Sequence, residues 1–229
     1  MAYPHTSPNQ VISSYNELLN QTFFSDDVKN LISNDNEIIG QLNDFFAKGK
    51  SISVWLNDAF KGGNSNINII SDTNSLNDHY FLFLIAHELG HNLFYPDQYR
   101  GINQFVTAKD YNDSRMMGEA WANWNKYKFY KRNKSFFTGS YGSGGEEEYT
   151  YANKDYNMFV LIEGWENERK SETEILKEIA KLNGNYRPSG MGWTGTYEQG
   201  NIRSFLLKKT DIEKDIKEVE TIIGRNFSL

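Results

Sequence analysis

The amino-acid sequence predicts a mainly helical α+β chain with a small sheet placed ahead of a buried central helix. Three observations predict it. Apolar residues recur at three- and four-residue spacing over much of the chain. Two short stretches alternate instead, and both precede Asp78. The segment from Asp78 to Phe94 is apolar on nearly all sides, as a helix buried all round must be. With 229 residues, 38% hydrophobic and 15% aromatic, the chain can bury one sizeable core or two lobes that share one.

In order along the chain, Val11 to Leu19 and Val28 to Phe46 carry helical spacing, and Gly49 closes the second stretch. Ser51 to Trp55 and Asn66 to Ile69 alternate and are strand candidates, with a turn at Gly62-Gly63-Asn64 between them. The helix from Asp78 to Phe94 can be capped by Asn77 or Asp78 and is stopped by Pro96. A loop from Tyr95 to Ser114 then leads to a helix from about Gly118 to Lys131. Thr138 to Gly145, rich in Gly and Ser, reads as a loop, and Tyr156 to Arg169 as a helix. Ser171-Glu172-Thr173-Glu174 is a capping box for a helix ending near Gly184, and Thr210-Asp211-Ile212-Glu213 is another. Between them, Tyr186 to Gly200 is expected to be a loop.

Composition excludes several classes of function. A net charge of -6 argues against nucleic acid as the main partner, because phosphate binding needs clustered Lys and Arg. The basic run Lys126 to Lys134 is the exception and reads as the solvated face of a helix. With no cysteine, a disulfide scaffold, a Cys-type zinc ribbon and a cysteine nucleophile are all excluded. No membrane span is expected, since the apolar run Tyr80 to Ala86 is far shorter than the ~20 residues required. No signal peptide is visible in MAYPHTSPNQ, which leaves a cytoplasmic location or export by a signal-independent route as the expectation.

The chemistry is carried by His87-Glu88-Leu89-Gly90-His91, an HExxH sequence. On a helix, positions i and i+4 are about 40° apart, so both imidazoles leave one face and can reach a single cation. Neutral imidazoles suit zinc better than calcium or magnesium, which prefer oxygen. Glu88 sits about 100° round from His87, where it can take a proton from water without competing for the metal. The protein has only 4 histidines, and two are here. His5 and His79 read as surface residues.

Zinc at a catalytic site takes three protein ligands and keeps one open position. The favoured third ligand is Glu119, in Gly118-Glu119-Ala120-Trp121-Ala122-Asn123 on the second predicted helix. Asn123 lies one turn on and can accept the second ring N–H of a ligand histidine. This pattern resembles the gluzincins, zincin-type peptidases with HExxH on one helix and a glutamate ligand on another, and in particular the phage-repressor-cleaving members. The alternative ligand is Asp97. The run HELGHNLFYPDQY resembles the extended metzincin motif of snapalysin-type and immune-inhibitor-type proteases, with Met116-Met117-Gly118 in the place of their methionine turn. Those families require Gly where this chain has Phe94, and a bulky residue tolerates positive φ poorly. Either resemblance covers roughly residues 66 to 130.

The resemblance implies a single zincin-like catalytic domain over residues 1–229, with an N-terminal lobe at 1–95 that includes the HExxH helix and a helical C-terminal lobe at 96–229. It implies a zinc metallopeptidase acting on a peptide or protein, with Glu88 as general base. The strand at 66–71 would offer its edge to an extended substrate. Tyr197 and Arg203, in the predicted loop and just after it, are candidate stabilisers of the transition state, and Tyr186 and Arg187 are similar. Two other readings are a bacterial toxin or effector protease with a narrow protein target, and a non-catalytic zincin-like binding module. Trp121, Trp124, Tyr127 and Tyr130 are expected in the core, Glu146 to Glu148 in solvent, and Glu163 and Glu166 on a helix surface.

Overall fold

A computed structural model of the chain describes residues 10–22, 24–56, 67–71, 78–94, 100–139, 149–186 and 195–209. The predicted turn at Gly62-Gly63-Asn64, the acidic triplet Glu146 to Glu148 and the capping box at Thr210 lie outside these residues, as do His5, Asp97 and Arg187. The described chain is mainly helical with one small sheet, the class predicted from the sequence. None of its helices is long and apolar enough to cross a membrane.

The sheet has three strands, β1 (Gln10–Ile12), β2 (Ile52–Leu56) and β3 (Ile67–Ser71), in the order β1-β2-β3. β1 pairs antiparallel to β2, and β2 pairs parallel to β3, with Val54 opposite Ile69. Both alternating stretches are therefore strands. Val11 differs from the expectation: it lies in β1, half exposed, and the helix α1 runs only from Tyr15 to Leu19. Ser14 caps α1, its hydroxyl accepting from the Glu17 N–H, and that cap ends the strand before it.

The single helix expected over Val28 to Phe46 is two, α2 (Asp26–Asn34) and α3 (Asn36–Ala47). Asp35 divides them. Its carboxylate accepts from the N–H groups of Glu37 and Ile38, so a new helix starts there although the apolar spacing runs on. The same carboxylate is buried and takes Arg132 Nε at 3.2 Å and Asn133 Nδ2 at 2.7 Å. α3 ends at Gly49, whose φ of 72° is the left-handed geometry that glycine accepts without strain.

The remaining helices are α4 (Asp78–Leu93), α5 (Ala108–Arg132), α6 (Lys134–Gly139), α7 (Tyr149–Asn167), α8 (Glu172–Asn185) and α9 (Tyr197–Lys209). α4 and α8 match their predicted bounds closely, and the capping box of Ser171 and Glu174 is present. α5 and α7 each start earlier than expected, and α9 opens inside the predicted loop Tyr186 to Gly200. α5 is extended because Thr107 Oγ1 accepts from the Asp110 N–H and begins the helix well before Gly118. The basic run also departs from the expectation: Arg132 and Lys134 are exposed, but Lys126 is buried.

The chain divides into two compact units, residues 1–92 with 125–160, and residues 93–124 with 161–229. The sequence-based boundary at residue 95 falls near the first crossing, and the chain then returns to the first unit within α5. The reason is aromatic. In the first unit Phe83 of α4 stacks on Phe137 with centroids 4.7 Å apart and meets Phe159 edge-on at 5.3 Å, while Tyr130 stacks on Phe159 at 4.7 Å. Of the four aromatics expected in the core, Tyr127 and Tyr130 here and Trp124 of the second unit are buried, whereas Trp121 is only partly buried. In the second unit Tyr111 packs against Phe105 and Phe205, Asn112 hydrogen-bonds Glu198 and Asn201, and Trp124 Nε1 donates to Glu172.

Asp35 serves two helix ends at once, so Asp35→Ala is expected to cost about 2–3 kcal/mol of stability, a cap plus a buried charged hydrogen bond. Urea unfolding measures it. A loss below about 1 kcal/mol would show that solvent replaces these bonds at little cost.

Candidate metal centre

α4 is buried because Phe81, Leu82, Phe83, Ile85, Ala86 and Leu89 all turn inward. His87 and His91 are carried on this apolar rod one turn apart. Their rings meet edge-on with centroids 4.8 Å apart, which puts both on one side of the helix, as the spacing predicts. His91 is buried at 7% exposure, while His87 and Glu88 are partly exposed.

Glu119 comes from α5 and joins them. One ligand atom from each of His87, His91 and Glu119 lies within 4.8 Å of the others. Two ligand atoms at ~2.1 Å from a tetrahedral zinc are about 3.4 Å apart, so rotation of the side chains through roughly 1 Å closes the group on a cation. Two imidazoles and one carboxylate form a donor set that fits zinc with a position left open. Glu88 is not part of the group. Glu119 lies near the histidines, and the other third-ligand candidate, Asp97, lies outside the described residues.

Neighbouring polar residues hold this part of α4. Asn92, next to His91, is 5% exposed; its Oδ1 accepts from Lys50 Nζ at 2.7 Å and its Nδ2 donates to Asp44 Oδ2 at 3.0 Å. Burial, and then the like charge of Lys48, pull the Lys50 amine below its usual value, against the pull of Asp44. Asn125 of α5 is completely buried and donates to the carbonyl oxygen of Ala86 at 2.7 Å. Neither Asn92 nor Asn125 was singled out from the sequence. The available signal was an Asn inside a run that otherwise reads as core, since a buried amide needs partners.

In the second unit, Asn112, Met116, Glu119 and Asn123 fall on one face of α5, at spacings of four, three and four. Asn123 Nδ2 donates to the backbone oxygen of Glu119 at 3.0 Å and lies 3.5 Å from Asn183 Oδ1, so its amide nitrogen braces the backbone at Glu119. Tyr197 opens α9, stacks on Tyr186 with centroids 5.8 Å apart, and donates its N–H to the Tyr186 carbonyl at 2.9 Å. Burial first, then the negative charge of Glu119, then Tyr186 raise the Tyr197 phenol above its usual value. It therefore keeps its proton at neutral pH and stays a donor. A cation on Glu119 would offset the charge effect and leave the effect of burial. Arg203 is also on α9, about 120° round from Tyr197, so the two do not share a face.

Comparison with protein-family models, with curated proteins and with solved structures gives no match.

Glu119→Ala is expected to weaken zinc binding by more than about 100-fold, beyond the loss seen when only an outer partner of a ligand is removed. Asp97→Ala is expected to leave it unchanged. Titration with zinc against a competing chelator separates them, and the opposite pattern would give the third position to Asp97.

Proposed function

We propose that the chain is a zinc-dependent metallopeptidase that hydrolyses peptide bonds with Glu88 as general base. The observation that carries this reading is the convergence of His87 and His91 from α4 with Glu119 from α5, with Glu88 beside them and outside the group. The resemblance of HELGH and GEAWAN to the gluzincin pattern points the same way.

His87, His91 and Glu119 would hold zinc, which when bound would supply Lewis acidity and make a nearby water more acidic. Glu88 accepts the proton of the attacking water and delivers it to the departing amine, so one carboxylate serves as base and then as acid. Tyr197, protonated and near Glu119, donates a hydrogen bond to the oxygen that becomes negative as water adds. β3 is an edge strand of the described sheet, and its outer main-chain groups around Ile69 suit an extended peptide. Asn123 keeps Glu119 in place through the backbone.

Glu88→Gln keeps a side chain of the same shape and removes the base. It is expected to retain zinc in full and to lose roughly 10²–10⁴-fold in hydrolysis of a peptide library, read by mass spectrometry. Loss of zinc from that variant, or undiminished cleavage, overturns the role given to Glu88. Tyr197→Phe is expected to lower kcat by about 10²–10³-fold with little change in KM. An equal effect from Arg203→Ala alone would transfer the role to Arg203.

A further inference from the structure

The three proposed ligands come from two helices, and their spacing depends on how α4 and α5 are joined. Within the first unit a buried amide of α5 hydrogen-bonds the backbone of α4. Asn125 has no exposed surface. Its Nδ2 donates to the Ala86 carbonyl at 2.7 Å and to Gln41 Oε1 at 2.9 Å, and its Oδ1 accepts from Gln41 Nε2 at 2.9 Å. Both amide hydrogens and the amide oxygen are used, and the amide pair with Gln41 is reciprocal, which leaves the side chain one orientation.

The placement of these bonds gives them a purpose beyond stability. Ala86 is the residue immediately before His87, and it is fully buried. Its methyl group leaves the helix carbonyl open to a second donor from the side. Glu119 lies upstream of Asn125 on the same unbroken helix, about 9 Å along the axis at 1.5 Å per residue. The aromatic and aliphatic contacts of α4, such as Phe83 against Tyr130, allow sliding by fractions of an ångström at little cost. A 2.7 Å hydrogen bond to a carbonyl does not, because it weakens steeply with distance and angle. Gln41 on α3 then locks the donor itself.

We infer that Asn125 is a positioning residue for the metal centre: through Ala86 and Gln41 it fixes the register between α4, which carries both histidines, and α5, which carries Glu119. This inference rests on the proposed metal site. A shift of about 1 Å between the helices is enough to turn three converging ligands into two.

The test uses the full chain with cobalt(II) or zinc. Asn125→Ala is expected to raise the dissociation constant for zinc at least tenfold and to change the visible spectrum of the cobalt form, which reports ligand number and geometry. Val28→Ala, which opens a cavity in the core at α2, serves as the control for stability alone and is expected to lower Tm without moving either readout. Unchanged zinc affinity and cobalt spectrum in Asn125→Ala overturn the inference, whatever happens to Tm. If Asn125→Ala does not fold, Gln41→Ala carries the test. It leaves the bond to Ala86 but frees its orientation, so at least a threefold loss of affinity is expected, and wild-type affinity overturns the inference. Failure of the unaltered chain to bind either metal removes the proposed function itself, a result distinct from a variant that binds as well as its parent.

Discussion

An α-helix can turn two side chains one turn apart toward the same point, but it cannot supply a third ligand there without breaking. That constraint governs the structure around the candidate site. HExxH on α4 delivers two imidazoles, and the remaining ligand has to arrive from another element. In the proposed site it is Glu119 of α5, so that site depends on how these two helices are held together. Apolar contacts favour burial but do not define one position well. The residues that define position are polar groups set into apolar surroundings. Asn125 bonds the carbonyl preceding His87, and Asn92 ties the end of α4 to Lys50 and Asp44. Asp35 anchors the far end of α5 through Arg132 and Asn133.

The face of α5 that bears Glu119 is held by a second set of polar bonds. Asn112 at one end meets Glu198 and Asn201, and Asn123 at the other braces the Glu119 backbone and reaches Asn183. Between them Met116 lies against Gly184, where a β-carbon would sit 3.7 Å from the Met116 sulfur, an ordinary contact. The glycine there is therefore compatible with a larger residue, and close approach is not its reason. A cavity of about 520 Å³ opens beside this face, with Met116, Gly184, Lys177 and Glu198 in its walls.

What the sequence made legible follows from which interactions are local. The bounds of α4 and α8, the two alternating strands and the capping box at Ser171 depend on neighbours within a turn, and they were readable. The convergence of Glu119 with the histidines was readable only because HExxH restricts what can complete it. The split of α2 from α3 was missed because the apolar spacing of Val28 to Phe46 runs straight through Asp35. The carboxylate that interrupts it is stabilised partly from the far end of α5, a partner that periodicity does not reveal. Asn125 was missed for a similar reason. Its bonds go to Gln41 and Ala86, both far away in the chain, and an Asn between Trp124 and Tyr127 carries no local pattern. The start of α9 at Tyr197 was hidden by glycines and aromatics typical of loops.

The inventory of ligands bears on whether a metal here would be structural or catalytic. A structural zinc site closes all four positions with protein donors, most often Cys and His. This chain has no cysteine and 4 histidines. Among the described residues the cluster gathers His87, His91 and Glu119 and takes in no further Asp, Glu or His. Glu88 is adjacent in sequence yet stands outside it, partly exposed rather than sealed in the core. On the proposed reading, three donors are the number that leaves a zinc one position for water. A structural site fills that position with a fourth protein donor, whereas metal-assisted hydrolysis needs it open.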